Sequence, residues 1–403
     1  MATKVHVAIS ATNRTGDAVA GGDGAVYSAT FSTFTAAFNN ATYGVRDLIA
    51  ADEIAIYEMF LDVSPLEDSF NVNGFITSPS TYVTIKAEAD SKHDGTPNNG
   101  AEIIGSTAAD TVTLNSRYTE FEDLIVGNTY WNKKSAILCS GANLKVKRSF
   151  FTIGSVGLSC IFFRGAQDCI IESCVSYAST KFGIKFEYSG SKNNTLSNCV
   201  FATTGAAISS FASGVNRFKN CVCIGGFDSG AIASDSSNNA TDQADDAGLN
   251  PAGGGIVSIT PEDEFADYLN YDFHLGAETQ FIGSGADLSA ESIRDIDGVL
   301  FQVPFPIGID ESVQLTVPVE LNNIPLGTEI RIFDNDSNAE LVGVESSAAS
   351  PVVLDMPYPG VPVNTRIVLL NMNYRYQVLT AEIGPNGLSF PVTLAMDRVY
   401  KNP

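Results

Sequence analysis

Phe121-Glu-Asp-Leu-Ile is the first of five short stretches that repeat one pattern, an apolar residue, two polar residues and then a small or apolar pair. The other four are Val146-Lys-Arg-Ser-Phe, Ile171-Glu-Ser-Cys-Val, Leu196-Ser-Asn-Cys-Val and Phe218-Lys-Asn-Cys-Val. Their first residues are 25, 25, 25 and 22 positions apart. A near-constant period of this length, with strand-like runs of only a few residues inside it, is typical of a solenoid, a chain that coils around an axis.

The composition of each period indicates which solenoid this is. Leucine-rich and helical repeats need amphipathic helical stretches of about ten residues in each unit, and the repeated stretches contain none. Glycine recurs ahead of the motif, where we expect it to permit tight turns, at Gly141, Gly165, Gly190 and Gly214. The sequence therefore predicts an all-β fold, a right-handed parallel β-helix with about 25 residues per coil.

Equivalent residues of successive coils stack about 4.8 Å apart in such a fold. Cys174, Cys199 and Cys221 are then expected to form one column. Beside them, the side-chain amides of Asn198 and Asn220 are expected to hydrogen-bond along the axis. A metal is the alternative use of the thiol column, but tetrahedral sites need ligands that converge from different directions. We therefore interpret the seven cysteines of the chain as mostly reduced, apolar filler.

The ends of a β-helix expose unpaired strand edges and need covers. At the N-terminal end, residues 32–41 predict a short cap helix with Ser32 as its N-cap. The apolar face of that helix would consist of Phe34, Ala37, Phe38 and Ala41. Less regular coils are then expected in the strand-like runs Ile54–Phe60, Tyr82–Ala87, Ile103–Gly105 and Val112–Leu114.

Towards the C-terminal end of the repeats, residues 234–255 are polar and rich in glycine, and we interpret them as a long surface excursion. The last turns of the cylinder would then carry Tyr271-Asp-Phe-His-Leu and Asp295-Ile-Asp-Gly. The sequence thus predicts one domain over residues 1–310, a β-helix with an N-terminal cap and a closing segment.

After Ile309 the period disappears, and alternating strands follow about ten residues apart. They are Val313–Val319, Glu329–Phe333, Val352–Met356, Arg366–Met372, Tyr376–Ile383 and Phe390–Met396, with a hairpin-like turn at Asn386-Gly387. This spacing predicts a small antiparallel β-sandwich over residues 311–403.

The chain of 403 residues has a formal net charge of -23, so its average surface repels nucleic acid and anionic membranes. The apolar run near the first residues is too short for a signal peptide, and no stretch provides the roughly 18 apolar residues of a membrane span. We therefore expect a protein made in the cytoplasm, with neither nucleic acid nor a membrane as its partner.

Three regions resemble a known group of proteins. Residues 234–312 resemble the closing segment of right-handed β-helix proteins encoded in tailed-bacteriophage structural gene clusters, on Asp272-Phe-His-Leu, Gly283-Ser-Gly-Ala-Asp, Asp295-Ile-Asp-Gly and Pro306-Ile-Gly-Ile-Asp-Glu. The opening MATK, the cap helix and Ala51-Asp-Glu-Ile are similar to the start of the same group. The segment from Gly327-Thr-Glu-Ile-Arg-Ile-Phe-Asp-Asn to Asp397-Arg-Val-Tyr-Lys resembles a small β-sandwich module of phage virion proteins.

This resemblance implies a structural protein of the virion, made in the host cytoplasm, such as a capsid decoration, a head fibre or a tail spike. Its expected partners are other virion proteins and further copies of the same chain, with a trimer favoured, and host surface glycans are a further candidate ligand. Because the cap helix begins by residue 32, there is little room for a separate particle-binding domain. A decoration or fibre protein is therefore favoured over a tail spike.

The main alternative is an enzyme, a tail spike that depolymerises host polysaccharide by hydrolysis or elimination. Glycosidases need two carboxylates about 5 Å or 6.5–9.5 Å apart. Adjacent coils would place in one column Glu122, Asp123, Lys147, Arg148 and Glu172. Because the charges in that column alternate in sign, we interpret it as an exposed charge ladder rather than a catalytic pair. A cellular adhesin is a third hypothesis, against which the missing signal peptide argues.

A second group of polar residues gives a weaker signal for lyase chemistry. It combines Lys185, Glu187 and Tyr188 on one strand with Arg164 and Lys181. A lyase needs a basic residue to abstract a proton and acidic ligands for calcium. No acidic cluster accompanies these residues in the neighbouring coils, so a structural role is favoured.

Neither the acidic stretches nor the histidines form a recognisable site motif in the sequence. Asp334-Asn-Asp-Ser-Asn-Ala-Glu340 lacks the sixth-position glycine of a calcium loop, so a hairpin turn is predicted. The acidic group Asp242, Asp245 and Asp246 falls in the polar excursion, and the histidines His6, His93 and His274 are far apart in sequence. The sequence assigns no catalytic, cofactor-binding or metal-binding residue.

Overall fold

The computed structural model describes most of the chain with gaps. The described residues are 2–10, 27–61, 64–93, 96–97, 99–129, 134–154, 157–178, 182–187, 190–210, 215–227, 232–245, 248–276, 279–291, 293–298, 301, 305–310, 315–322, 324, 327–335, 340–345, 352–358, 363–371, 374–383 and 388–391. The chain forms two compact units, Met1–Glu311 and Ser312–Pro403. None of the helices among these residues is long and apolar enough to cross a membrane.

The first unit is built mainly from short strands. In chain order they are β1 (Thr3–Ile9), β2 (Ala29–Phe31), β3 (Glu53–Met59), β4 (Leu66–Glu67), β5 (Phe70–Val72), β6 (Val83–Ala87), β7 (Glu102–Gly105), β8 (Val112–Leu114), β9 (Thr119–Glu122), β10 (Ile125–Asn128), β11 (Ile137–Cys139), β12 (Lys145–Lys147), β13 (Phe150–Ile153), β14 (Ser159–Arg164), β15 (Ile170–Glu172), β16 (Val175–Ala178), β17 (Phe182–Glu187), β18 (Thr195–Ser197), β19 (Val200–Ser210), β20 (Arg217–Lys219), β21 (Val222–Phe227), β22 (Ala240–Thr241), β23 (Phe265–Asp267) and β24 (Asp272–Leu275). The helices are α1 (Phe34–Phe38), α2 (Leu48–Ala51) and α3 (Pro261–Glu264), with 3-10 turns at Ala89–Ser91, Tyr268–Asn270 and Ser289–Glu291.

Parallel pairing arranges most of these strands into three faces. Face 1 has the order β2-β1-β3-β6-β9-β12-β15-β18-β20. Face 2 contains β4, β7, β10, β13, β16, the first part of β19, β21 and β22, and face 3 contains β5, β8, β11, β14, β17 and the second part of β19. The long strand β19 belongs to both because it pairs with β16 through Val200 and with β17 through Ile208.

The repeated motif stacks in register, as the sequence predicts. On face 1 the first residues of the five stretches pair from coil to coil, in the order Phe121, Val146, Ile171, Leu196 and Phe218. All five are buried in one continuous interior core. The prediction of a parallel β-helix with about 25 residues per coil is therefore confirmed.

From β9 onwards, each coil turns from face 1 to face 2 at a single residue with a left-handed backbone. This corner column consists of Asp123, Arg148, Ser173, Asn198, Asn220, Asn238 and Gly254. Left-handed backbone costs most residues roughly 1–2 kcal/mol, and asparagine and aspartate tolerate it best because their side chains bond locally. Polar residues therefore occupy most of these corners.

The recurring glycines that the structure describes lie at turns between strands, as predicted, but only one of them needs glycine for its backbone conformation. Of these glycines, Gly165 has a positive φ of 74°, whereas Gly141 and Gly190 do not, and Gly214 lies outside the described residues. A Cβ at Gly141 would lie 2.8 Å from the carbonyl oxygen of Ser116. Gly141 is therefore needed for the close approach of two coils rather than for its φ.

The coils become shorter towards the C-terminal end. Successive corner residues from Asp123 to Asn198 are 25 positions apart, and the later intervals are 22, 18 and 16. The described residues of the polar stretch 234–255, predicted as a surface excursion, instead contribute to these short coils. Leu249 lies in the interior core, and Asn239 and Asn250 are buried beside it. The prediction failed because hydrogen-bonded amides replace apolar side chains here.

Side-chain amides do stack between coils, but not at the predicted positions. Asn194 donates to Asn216 Oδ1 over 2.9 Å, and Asn239 donates to Asn250 Oδ1 over 3.0 Å. The amide of Asn220 instead bonds away from the axis, to the backbone of Ala286. The predicted ladder between Asn198 and Asn220 is therefore wrong, because that corner faces a later part of the chain.

The seven cysteines are free thiols and all are buried. Three of them form the predicted column, and each of these thiols donates to a backbone carbonyl of the preceding coil. The pairs are Cys174 to Val146 O, Cys199 to Ile171 O and Cys221 to Leu196 O, at 3.5–3.6 Å. Burial raises the pKa of Cys199 and Cys221, so both thiols stay protonated and serve as small core residues.

Residues 257–310, here called the closing segment, run back along the outside of the corner column. Their backbone accepts hydrogen bonds from Asn238 at Ser284 O, from Asn220 at Ala286 O and from Ser173 at Arg294 O. The predicted motifs at residues 271–275 and 295–298 therefore belong to this external segment and not to the last turns of the cylinder. That prediction was wrong because the segment covers a face rather than extending the coils.

The closing segment creates a second core outside the β-helix. The outward residues of face 2 are apolar where a solvent-exposed face would be polar, and they are Ile125, Phe150, Val175, Val200 and Val222. They pack in one cluster with residues of the closing segment that include Phe273, Leu275, Phe281 and Ile296. Burying a side chain of this size stabilises the fold by about 1.5–3 kcal/mol. The contact with the closing segment explains why the last residue of each repeated stretch is apolar.

The N-terminal cap helix is shorter than predicted. Helix α1 covers only Phe34–Phe38, and its N-cap is Thr33, whose Oγ1 accepts from Ala36 N over 3.0 Å, rather than Ser32. Its buried residues are Phe34, Ala37 and Phe38, whereas Ala41 lies beyond the helix and is exposed. Phe34 stacks on Phe70 of the first coils, with ring centroids 4.5 Å apart.

The second unit consists of two sheets. Its strands are β25 (Leu315–Asn322), β26 (Glu329–Asp334), β27 (Glu340–Glu345), β28 (Val352–Tyr358), β29 (Val363–Asn371), β30 (Tyr374–Ile383) and β31 (Leu388–Pro391). They form the sheets β28-β25-β31 and β27-β26-β29-β30, antiparallel except for the β25–β31 pair. Side chains from both sheets share one core. Strand β27 was not predicted, and the turn at Asn386-Gly387 lies outside the described residues.

Candidate functional site

The predicted charge ladder lies on the outer side of face 1. Strand register places Glu58, Lys86, Glu122, Lys147 and Glu172 in one line across five coils. Lys86 Nζ lies 3.0 Å from Glu58 Oε1, and Lys147 Nζ lies 3.6 Å from Glu172 Oε2. Opposite charges directly across strands stabilise pairing. The line therefore joins coils, as the sequence predicts. The prediction that the ladder is exposed is wrong, because its predicted members are half-buried and Asp123 is buried.

Arg148 at the corner is the centre of several close ion pairs. Its Nε lies 2.6 Å from Asp123 Oδ1, its Nη2 lies 2.7 Å from Glu122 Oε2, and Lys92 Nζ lies 3.1 Å from Asp123 Oδ2. Burial alone would raise the pKa of Asp123, but the Arg148 hydrogen bond and the charges of Arg148 and Lys92 lower it. Asp123 is therefore held ionised and is unsuited to act as a general acid.

A polar pocket of about 350 Å³ opens beside these pairs. Its walls come from the coils and from the closing segment, and its lining residues include Lys92, Glu122, Lys147, Arg148, Glu172 and Arg294. Burial raises the pKa of Glu172, although Lys147 opposes that shift. A carboxyl group with a raised pKa at a pocket is the property of a general acid. Glu172 is thus the member of the predicted column whose pKa fits acid catalysis.

The second predicted group is only partly brought together. Arg164 Nε lies 3.4 Å from Glu187 Oε2, and the Lys185 ammonium lies 5.4 Å from the ring centroid of Phe162. The Arg164 guanidinium covers the same ring at 4.9 Å. These cations cover an apolar ring on the outer side of face 3, which is a structural role. Lys181 and Tyr188 lie outside the described residues.

The predicted acidic groups have local roles. Asp242 Oδ1 accepts from Gly225 N over 3.0 Å and from Gln243 Nε2 over 2.8 Å, whereas Asp246 lies outside the described residues. Strands β26 and β27, on either side of the stretch from Asp334 to Glu340, pair antiparallel. That pairing agrees with the hairpin interpretation.

Two of the three histidines support the β-helix. His6 Nδ1 lies 2.6 Å from Glu58 Oε2, and Glu58 also pairs with Lys86. His93 Nε2 lies 2.7 Å from the backbone oxygen of Arg148. The two contacts join residues that are 52 and 55 positions apart in the chain. Both histidines therefore connect different coils.

His274 is the centre of a group of carboxylates in the closing segment. Its Nδ1 lies 2.5 Å from Asp272 Oδ1, and its Nε2 lies 3.4 Å from Asp297 Oδ2. Asp310 and Asp295 are buried nearby. The Asp297 hydrogen bond is the main cause that raises the pKa of His274 to about 10. Burial raises the pKa of Asp310 to about 7, against the opposing charge of His274.

The sequence missed this group because its members are dispersed. His274, Asp297 and Asp310 are separated by 23 and 13 positions, and no motif spacing connects them. They converge because the closing segment folds back on itself, with Ile296 N donating to Ile309 O over 2.9 Å. The available signal was the recurrence of aspartates at 272, 295, 297 and 310 among apolar residues.

Comparison with known families gives one match. The model of the family described as "Right handed beta helix region" matches residues 89–244, which is less than half of the chain. No curated protein matches the chain. The strand register and the family match together define the first unit as a right-handed parallel β-helix. The three faces thus form a shaft, and the charged line of face 1 lies on it, whereas the group around His274 lies in the closing segment.

Proposed function

We propose that this protein is a non-enzymatic structural component of a bacteriophage particle, a capsid decoration, head fibre or spike. The observation that supports a structural role is the pairing of the charge column. Arg148, Lys86 and Lys147 each pair with a carboxylate of a neighbouring coil. Charges used in this way stabilise the shaft. The assignment to a phage particle rests on the sequence resemblance of the closing segment and the C-terminal unit.

Mass spectrometry of purified particles tests this proposal. Particles of the phage that encodes the chain are expected to contain it in many copies, and cryo-electron microscopy is expected to locate it on their surface. The protein purified alone is expected to be an oligomer, with three copies favoured, by light scattering. Absence of the chain from intact particles would overturn the proposal.

A second candidate function is depolymerisation of host surface glycans, and Glu172 is the observation that favours it. Its raised pKa and its position at the polar pocket fit a general acid. Glu172→Gln is then expected to abolish the release of oligosaccharides from bacterial capsule or exopolysaccharide. Glu120→Gln is the matched control, because Glu120 pairs with Lys145 on the same face and does not line the pocket. Release that is equal in the two variants would exclude this role of Glu172.

A further inference from the structure

Three potential metal ligands converge in the closing segment. They are a nitrogen of His274 and one carboxylate oxygen each of Asp297 and Asp310, and these atoms all lie within 4.8 Å of one another. His274 Nε2 and Asp297 Oδ2 are 3.4 Å apart. Two ligand atoms about 2.1 Å from a tetrahedral ion are separated by about 3.4 Å. This pair therefore already has the spacing of two ligands of one ion.

The imidazole is held in the orientation that a metal ligand needs. Asp272 Oδ1 bonds to His274 Nδ1 and also accepts from the backbone N–H of His274 over 3.1 Å. This leaves Nε2 directed towards Asp297. Histidine ligands in metal sites commonly donate their second nitrogen to a carboxylate in this way, which fixes the ring and increases its basicity.

The carboxylates are also positioned by the backbone. Asp310 is buried, and its Oδ2 accepts from Leu275 N over 3.2 Å. Asp297 lies in the turn that Gly298 N closes on Asp295 O over 3.1 Å. The Asp297 side chain is 38 % exposed, so an ion can reach the group from solvent.

The charge of the group favours a cation. The carboxylates of Asp272, Asp297 and Asp310 act on His274, and Asp295 adds to the negative potential at Asp310. A protonated imidazole offsets one negative charge. A divalent ion would offset two and would be coordinated directly by the carboxylate oxygens. Ca²⁺ and Mg²⁺ prefer sites made only of oxygen atoms, whereas an imidazole nitrogen with carboxylates suits Zn²⁺ and its neighbours.

We propose that His274, Asp297 and Asp310 bind one divalent transition-metal ion of the Zn²⁺ class, with Asp272 as the residue that orients the imidazole. The ion would fasten together strand β24, the turn at residues 295–298 and the end of the first unit. Its role is to hold these three parts of the closing segment together. The site is independent of the proposed function, since either could fail without the other.

Titration of chelator-treated full-length protein with Zn²⁺ in a calorimeter tests the proposal. The wild type is expected to bind one Zn²⁺ per chain with a rise in the midpoint of thermal unfolding. Asp272→Asn is expected to weaken binding about 10–100-fold, as loss of an outer partner does, and Asp297→Asn by more than that. Asp263→Asn is the matched control, because Asp263 is exposed in the same segment.

Circular dichroism establishes that the variants are folded. Asp297 is the most exposed of the three ligands, so its replacement disturbs packing least. Co²⁺ provides a second readout, because a mixed nitrogen and oxygen sphere gives a visible absorption band that Asp297→Asn should remove. Equal Zn²⁺ affinity in the Asp263→Asn and Asp297→Asn proteins would overturn the proposal. Absence of Zn²⁺ binding, or binding of Ca²⁺ in preference to Zn²⁺, would overturn it as well.

Discussion

The coils between residues 119 and 227 and the closing segment use charged residues in opposite ways. In the coils, carboxylates and cations alternate across strands, and Arg148 contacts both Glu122 and Asp123. In the closing segment, several carboxylates gather around the single imidazole of His274. A repeated position must suit every coil, so its charges are paired locally. A segment that occurs once can collect ligands from separate stretches.

The largest expected effects come from the two cores. Phe163 stacks on Phe186 inside the shaft, with centroids 4.9 Å apart, and Phe273 packs on Phe265 in the outer core at 5.3 Å. Phe163→Ala and Phe273→Ala should each cost about 3–5 kcal/mol of stability. Hydrogen exchange with mass spectrometry is expected to show faster exchange throughout the coils in the first variant. In the second, faster exchange should be confined to the closing segment and face 2.

One result would contradict the expected difference between the two cores. If Phe273→Ala accelerated exchange equally on face 1 and face 3, the closing segment would be an integral part of the shaft. The two cores would then unfold as one unit, and the distinction between them would fail.

A smaller effect is expected at the corner ion pairs. Arg148→Met removes the side chain that makes two hydrogen bonds to buried Asp123. Breaking a buried ion pair costs about 3–5 kcal/mol, and we expect about 3 kcal/mol here because Lys92 still offsets part of the charge of Asp123. Arg217→Met is the matched control, because its partner Asp235 is exposed and such a pair contributes about 1 kcal/mol or less. Urea denaturation of the two variants measures the difference. Equal losses would show that Arg148 acts only as a surface residue.

The pH dependence should follow from the lowered pKa of Asp123. An aspartate in the unfolded chain has a pKa of about 3.9, and the folded value is lower. Its contribution to stability is therefore present above about pH 4 and is lost as the pH falls further. In Arg148→Met the loss of stability below about pH 4 should be smaller, because only Lys92 then lowers the pKa of Asp123 against the effect of burial. An unchanged acid profile would contradict the role given to Arg148.

The sequence predicts the shaft well because the interior repeats. Phe121, Val146 and Ile171 recur at one period, and strand register then follows from the period alone. The pairing of Arg148 with its neighbours can also be predicted from the sequence, because the charges in its column alternate in sign. These features depend on residues of adjacent coils, whose separation in sequence is constant.

The remaining features depend on contacts that no period encodes. Asn239 and Asn250 replace apolar side chains in the shortened coils, so hydropathy gave the wrong prediction there. The apolar Val175 and Val222 were visible, but the segment that covers them was not. The group around His274 has the same origin, since its ligands meet only after the closing segment folds back.

Above all, the closing segment is docked on the corner column. The backbone N–H groups of Ala286 and Gly308 donate to the side chain and the backbone oxygen of Asn220, over 2.6 Å and 2.8 Å. Amide hydrogen exchange of peptides that contain these two residues tests it most directly. We expect protection comparable to that of the face 2 strands, and exchange at the rate of an unstructured peptide would contradict the docking.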